Sequence, residues 1–246
     1  GPDAPHARVL AVDVTERPEQ LDARVEWLRS PGGAALPAGL RDLDDALVVA
    51  HEWLDVVPCT IAEVDGDGVL REVLADPRSG AELLGPAVEE GDREWARRHW
   101  PAHRPGARVE IGRARDEAWS DLVDRVRTGV LVAVDYGHIR ASRPANGTLT
   151  AYRRGRQTRP VPDGSCDLTA HVAVDSLEHD ALVRQRDALR GLGATGRVPD
   201  VAVARRDPAG YLLALAQASR EARLLEPDGY GGFWWVIKRV PPAAIA

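Results

Sequence analysis

Three apolar runs in this sequence end in acidic side chains, and those carboxylates are the first candidates for chemistry. The runs and their acids are 8–14 with Asp13, 45–52 with Glu52 and then Asp55, and 129–137 with Asp135. If the runs are parallel strands of one sheet, their carboxyl ends meet at the edge where open α/β sheets bind ligands. Carboxylates that cluster must be solvated, paired with cations or involved in function. We therefore predict that the functional site lies at this edge of the sheet.

His51 and Trp53 flank Glu52 at the second strand end. We group His51 with Glu52 and Asp55 as candidate catalytic residues, and Trp53 is a candidate substrate contact because it lies between the two acids. A metal site is not expected, because such sites need three or more converging ligands and no H-E-x-x-H pattern is present. The G-x-S-x-G motif of serine hydrolases is also absent. We expect neither of the two cysteines to act as a nucleophile.

Asp13 has the position in which nucleotide-binding α/β folds hold a ribose with a carboxylate. The glycine-rich turn that normally anchors such a cofactor does not precede residue 8. Judged from this residue alone, a solvated aspartate at a strand end is about as good an interpretation as a ribose-binding one. A strand begins within ten residues of the start and the chain has no methionine, so we expect an N-terminally truncated fold whose first elements lie upstream.

Strand-like and helix-like segments alternate, which is typical of a mostly parallel α/β sheet with helices on both faces. Strands are predicted at 8–14, 24–28, 45–52, 107–113, 129–137 and 231–240, with a β-hairpin at 59–74. Helices are predicted at 89–100, 114–129, 178–193 and 207–227, the second of them capped by Gly129. We expect a single domain over residues 1–246, with insertions at about 58–113 and 138–177.

Composition narrows the class of protein further. The net charge of -6 argues against nucleic acid as the main partner. Every apolar run is far shorter than the roughly 18 residues of a membrane span, so no membrane partner is expected. Two distant cysteines and the absence of a basic-then-apolar leader favour a cytoplasmic location.

With these segments in place, the sequence resembles the MidA family of S-adenosyl-L-methionine-dependent methyltransferases. That family includes a mitochondrial complex I assembly methyltransferase that acts on arginine. The stretches that carry the resemblance are "VVAHEWLDVVP", "PGARVEIGRARDEAW", "GVLVAVDYGH", "GTLTAYRRGR", "PDGSCDLTAHVAVDSL" and "LLEPDGYGGFWWVIKRV". They span nearly the whole chain in the right order.

The resemblance implies a class I, Rossmann-like methyltransferase fold and S-adenosyl-L-methionine as cofactor. It implies that Asp13 holds the ribose and that the segment from Glu52 to Asp55 lies beside the sulfonium and the substrate. The resemblance also implies which residues contact the substrate. Asp135 and Tyr136 would lie beside the substrate channel, and a second set would fold over its opening, namely Asp167, Thr169 and His171. The family's N-terminal glycine-rich motif has no counterpart in these residues.

The function implied is methylation of a protein side chain such as arginine, whose planar guanidinium suits a bidentate carboxylate. Two alternatives stay open, a non-catalytic assembly protein on the same fold and a small-molecule O- or N-methyltransferase. Two departures from the family bear on the choice, since His51 stands where asparagine is usual and Arg153-Arg154-Gly155-Arg156 replaces a stretch that commonly holds histidine. The oligomeric state, including a homodimer, is left open.

Overall fold

A computed structural model describes residues 7–242 of the protein, and its strands fall into five sheets. The strands are β1 (Val9–Asp13), β2 (Val25–Arg29), β3 (Ala46–His51), β4 (Thr60–Val64), β5 (Leu70–Ala75), β6 (Glu82–Ala87), β7 (Arg108–Ile111), β8 (Gly129–Asp135), β9 (Gly137–His138), β10 (Thr150–Arg153), β11 (Arg156–Thr158), β12 (Asp167–Thr169), β13 (Val172–Ala173), β14 (Ala181–Arg184) and β15 (Trp234–Val240). The helices are α1 (Glu90–His99), α2 (Arg113–Asp124), α3 (Gln185–Gly191), α4 (Val201–Arg206) and α5 (Pro208–Leu225).

The main sheet has four strands in the order β14-β15-β8-β3, with β3 parallel to β8 and β15 antiparallel to both of its neighbours. Residues 131–135 of β8 are all buried, as expected for a strand that is covered on both faces. The predicted sheet has helices on both faces, but in the described part of the chain β3 is covered on one face only. Leu47 and Val49 are 72% and 59% exposed, whereas Val48 and Ala50 pack against the core.

Strands β1 and β2 form a separate parallel pair, in register from Val9 opposite Val25 to Asp13 opposite Arg29. Among the described strands, neither of the two is hydrogen-bonded to the main sheet. The one continuous sheet expected from the sequence is therefore divided here. The pair still packs against the core, through Leu10 and Leu28.

The predicted hairpin is confirmed and belongs to an antiparallel sheet of order β6-β5-β4-β7. Its turn forms because the Asp65 carboxylate accepts the N–H groups of Asp67 and Val69, both at 2.9 Å. Gly68 has φ +81°, a conformation that glycine adopts without a steric penalty. Helix α1 covers this sheet with Trp95 and Ala96 in a second hydrophobic cluster.

Two predicted helix boundaries are wrong for tertiary reasons. Helix α2 ends at Asp124, and the following residues bond to Leu43 instead of continuing the helix. Gly129 is not its cap but the first residue of β8, with φ +144°, where a Cβ would collide with the backbone of Ala46. The predicted helix 178–193 begins with strand β14, because that segment pairs with β15 from Ala181 onward.

The long C-terminal helix is confirmed, since α5 starts at Pro208 with the Asp207 carboxylate accepting the N–H of Gly210 at 2.9 Å. The main core lies between α2 and the main sheet, where Trp119, Leu131 and Val236 are fully buried. Within residues 7–242, no helix is both long and apolar enough to cross a membrane.

Candidate functional site

The carboxyl ends of β3 and β8 lie side by side because the two strands are parallel, with His51 opposite Val134. The N–H of Glu52 extends the pairing by donating to the Val134 carbonyl at 2.9 Å. Strand β15 runs the other way, so its first residue, Trp234, lies opposite Asp135 and brings Phe233 to the same edge. We call residues 51–55 that leave β3 the acidic turn.

Asp135 accepts hydrogen bonds from the backbone of the acidic turn and so fixes its conformation. Its Oδ2 accepts the N–H groups of Leu54 at 3.1 Å and Asp55 at 3.2 Å, and its Oδ1 accepts the N–H of Tyr136 at 3.0 Å. The side chain is only 1% exposed, and this burial, reinforced by the Asp55 charge, raises the pKa of Asp135 well above its ordinary value. Its carboxyl group thus faces the protein backbone rather than an opening.

Glu52 is the exposed carboxylate of the acidic turn. Its backbone has φ +47°, a left-handed conformation that costs an L-residue about 1–2 kcal/mol and is typical of functional sites. The side chain is 42% exposed, and its Oε1 lies 3.6 Å from Nδ1 of His51. The strained backbone turns the chain sharply after β3 and leaves this carboxylate accessible.

Asp55 is the buried carboxylate of the acidic turn. Its Oδ2 accepts a 2.8 Å hydrogen bond from Oγ1 of Thr169 and a second one from the Tyr136 hydroxyl. Burial and this bond to Asp55 raise the pKa of Tyr136, so the hydroxyl stays protonated and acts as a donor. Oδ1 of Asp55 is buried and has no hydrogen-bond partner among the described residues, which is an unusual state for a buried oxygen.

Arg115 joins the acidic turn to a distant segment. It is 3% exposed, and its guanidinium donates to the carbonyls of Asp55 at 2.8 Å, Val57 at 3.0 Å and His171 at 3.0 Å. Arg115 was not among the residues predicted from the sequence. A signal was present, because Arg115 lies four positions before Trp119 and therefore on the apolar face of α2.

Glu110 holds the segments around Thr148 and His171 together. Its carboxylate accepts the N–H groups of Thr148 and Leu149 at 2.5 and 2.6 Å and the Thr148 hydroxyl at 2.6 Å. The Thr148 oxygen in turn accepts the N–H of His171 at 2.8 Å. The "GTL" stretch (147–149) and the "DLTAH" stretch (167–171) thus meet beside the acidic turn, and Glu110 is a second residue that was not predicted from the sequence.

A row of aromatic rings borders the acidic turn. The ring centroids of His51 and Phe233 are 6.2 Å apart, those of Phe233 and Tyr136 5.5 Å, and those of Tyr136 and His171 5.2 Å. His51 and His171 are exposed, so the row opens to solvent at both ends. Trp53 is directed elsewhere, since its indole N–H donates to the Gly33 carbonyl at 3.2 Å.

Asp13 ends β1, in the separate strand pair. Its Oδ1 accepts the N–H and the hydroxyl of Thr15, both at 2.8 Å, and these bonds lower the pKa of this exposed carboxyl. No hydrogen bond among the described residues joins Asp13 to the acidic turn. Asp167 is exposed on β12, two residues before Thr169. The structure thus gathers His51, Glu52, Asp55, Asp135, Tyr136 and His171, and the roles of all the candidate residues stay predictions.

Among residues 7–242, the cysteines and the metal-ligating side chains provide no second candidate site. Cys59 is partly buried, and burial raises the pKa of its thiol, which makes it a poor nucleophile. Between residues 7 and 242, no three His, Cys, Asp or Glu side chains are grouped so that they could hold a metal ion.

Comparison with known protein families identifies the chain. A family model described as "Putative S-adenosyl-L-methionine-dependent methyltransferase" matches residues 5–191, more than half of the sequence. The chain belongs to this methyltransferase family. A search of curated proteins found no match.

Two solved structures from Burkholderia thailandensis, both of one superfamily, share the fold of this family member. The first, an uncharacterized protein, is 24% identical over 90% of this chain and 60% of its own, with a TM-score of 0.63. The second, described as a "likely methyl transferase" bound to S-adenosyl-homocysteine, is 24% identical over 91% of this chain and 58% of its own, with a TM-score of 0.64. This chain therefore spans less than two thirds of either structure.

Proposed function

We propose that this protein transfers a methyl group from S-adenosyl-L-methionine to a nitrogen of a protein side chain such as arginine. The observation that carries the proposal is the presence, three residues apart at the end of β3, of an exposed carboxylate, Glu52, and a buried carboxylate held by two hydrogen bonds, Asp55. A guanidinium needs such carboxylates, because they bind its N–H groups and localise its charge so that one nitrogen can attack.

Two exposed carboxylates, those of Asp13 and Glu52, are suited to bind the cofactor. Asp13 is ionised and exposed at the end of β1, and Glu52 is exposed at the end of β3, so both can accept hydrogen bonds from the hydroxyl groups of adenosine. When bound, the cofactor supplies a methyl group that its sulfonium makes electrophilic. We propose that β1 and β3 belong to one class I, Rossmann-like arrangement in the whole protein.

The residues of this chain position the nucleophile and manage its proton. As the nitrogen–carbon bond forms and the sulfur–carbon bond breaks, one N–H proton must leave the nitrogen. Glu52 is suited to accept it, because its carboxylate is exposed and can pass the proton to water. Tyr136 keeps its own proton and holds Asp55, while Asp135 and Arg115 fix the backbone of the acidic turn.

The shape of the site favours a macromolecular substrate over a small molecule. Glu52, His51 and His171 are all exposed, so the acidic turn forms an open edge rather than the closed apolar pocket typical of small-molecule sites. A cavity of about 250 Å³ lies elsewhere, between the hairpin sheet and residues 146–160, and its lining includes Glu82, Arg108 and Arg159.

The proposal is tested by calorimetric titration of S-adenosyl-homocysteine into this chain and into a form lengthened by any residues that precede Gly1 in the gene. We expect binding by at least the longer form. We expect Glu52→Gln to keep that binding, because its amide oxygen can still accept from a hydroxyl group, while it abolishes methyl transfer to arginine-containing proteins. Absence of binding by both forms would overturn the proposal and favour a non-catalytic assembly protein. Full turnover by Glu52→Gln would remove Glu52 from the mechanism.

A further inference from the structure

Positive charge is concentrated in one segment of this acidic protein. Residues 139–162 contain six arginines and no aspartate or glutamate, although the whole chain has a net charge of -6. Some of these arginines have structural partners. Arg143 pairs with Asp175 at 2.5 Å, Arg140 donates to the Arg98 carbonyl at 2.8 Å, and Arg159 donates to the Gly80 carbonyl at 2.9 Å.

The other three arginines project from one hairpin. Strands β10 and β11 are joined by Arg154 and Gly155, which have φ +51° and +72°, as a tight two-residue hairpin turn requires. Arg153, Arg154 and Arg156 are exposed and form no ion pair within the described part of the chain. We call residues 150–158 the arginine hairpin.

Few carboxylates are available to neutralise the arginine hairpin. Asp163 and Asp167 are the acids nearest to it in sequence, and Asp167 lies on β12, opposite Tyr152. The charge of Arg153 acts on Asp163, but this single carboxylate can offset only one of the three positive charges. The tip therefore presents a net positive surface with an exposed aromatic side chain, Tyr152, beside it.

The arginine hairpin begins beside the candidate functional site. Thr150 of β10 is opposite Thr169 of β12, and Thr169 donates to the Asp55 carboxylate. Arg154 lies four residues beyond Thr150, which corresponds to about 13 Å along a strand. Strand β11 has β10 as its only partner among the described strands, so its outer edge is free to pair with an extended chain.

We propose that the arginine hairpin docks an acidic, extended segment of the protein substrate whose reactive cationic side chain lies at the acidic turn. This inference rests on the proposed function and adds a requirement on the substrate, namely acidic residues about four positions from the methylated residue. Nucleic acid is disfavoured as the ligand, because a uniform polyanion that reached the hairpin would also meet Glu52 and the net negative charge of the chain.

The test is fluorescence anisotropy at low salt with a labelled peptide that has one central arginine and glutamate pairs about four positions away on either side. A peptide with glutamines instead of glutamates is the control ligand. We expect the triple variant Arg153→Glu, Arg154→Glu, Arg156→Glu to bind the acidic peptide on the order of tenfold more weakly. The matched control is Arg41→Glu, Arg104→Glu, Arg220→Glu, which changes the net charge equally at exposed positions and should alter binding by less than about twofold.

Equal binding by the hairpin variant and the chain itself would overturn the proposal, as would tighter binding of a DNA duplex or of phosphatidylserine vesicles than of the acidic peptide. Circular dichroism of both variants checks that these exposed substitutions leave the fold intact. Titration with S-adenosyl-homocysteine separates the two proposals, because the hairpin variant should bind it like the unmodified protein. Loss of peptide docking with unchanged cofactor binding therefore tests the hairpin alone.

Discussion

The backbone N–H of Asp55 donates to the carboxyl group of Asp135 at 3.2 Å, which ties the buried acid of one strand end to the buried acid of the next. The two residues are eighty positions apart and meet because β3 and β8 are parallel neighbours. This bond and its companion from Leu54 set the course of the acidic turn. Asp135 therefore positions Asp55, and the acid that projects toward solvent is Glu52.

Asp135→Asn is expected to destabilise the protein by about 1–3 kcal/mol. The amide oxygen can still accept from Leu54 and Asp55, but the NH₂ group then faces the N–H of Tyr136, which loses its acceptor in a partly buried place. Urea unfolding measures the change. Asp124→Asn, at an exposed position on α2, is the control and should shift stability by less than about 0.5 kcal/mol.

Arg115→Met is expected to cost about 3–5 kcal/mol of unfolding free energy. The substitution leaves the carbonyls of Asp55, Val57 and His171 without their donor and removes a positive charge that acts on the buried Asp135 carboxyl group. Thermal and urea unfolding would show the loss, and Arg127→Met is the exposed control. A change of less than about 1 kcal/mol would contradict the role given to Arg115.

Glu52→Gly is expected to be more stable than Glu52→Ala by about 1 kcal/mol. Both variants lose the carboxylate, but only alanine keeps a Cβ in the left-handed conformation at φ +47°. Because the pair differs only in that atom, the comparison isolates backbone strain from electrostatics. Equal unfolding free energies would mean that the strain at Glu52 does not exceed the roughly 0.4–1 kcal/mol that the extra flexibility of glycine costs in the unfolded chain.

Stability is expected to fall in acid because of His138. Burial, aided by the Arg143 charge, lowers the pKa of His138 from 6.5 to about 3 in the folded protein. Below pH 6.5 the unfolded chain binds a proton that the folded protein excludes, so the stabilisation is complete above that pH and is lost as pH falls toward 3. The slope approaches about 1.4 kcal/mol per pH unit.

The comparison of unfolding free energies at pH 7.5 and 5.0 tests this, with His138→Gln expected to lose less stability than the unmodified protein. His103→Gln, at an exposed position, is the control. Asp116 has the opposite effect on how stability depends on pH. Burial raises the pKa of Asp116 to about 6, so its contribution to stability is lost as pH rises through that value. Asp116 is present in all the proteins compared, so its contribution cancels in the difference.

Local patterns were sufficient where the chain's own neighbours determine the structure. The hairpin at 59–74 and the helix that starts near residue 207 were predicted correctly, because the turn at Asp65 and the cap at Asp207 each form from side chains within a few residues of one another. Prediction failed where a distant strand competed with local preference. Residues 181–184 have a helix-like pattern but pair with β15, and α2 stops where Leu43 takes over the backbone hydrogen bonds of the chain.

The sequence by itself determined that carboxylates lie at the carboxyl ends of β3 and β8, because strand ends and their order can be read from apolar runs. Only the tertiary structure decided what each carboxylate does. Contacts across more than fifty residues bury Asp55 and Asp135, bring Arg115 to three backbone carbonyls and join Thr169 to Asp55, whereas Glu52 is left exposed. Burial and hydrogen bonding give a carboxyl group its charge state and its accessibility, and both depend on residues that are close in space but distant in the chain.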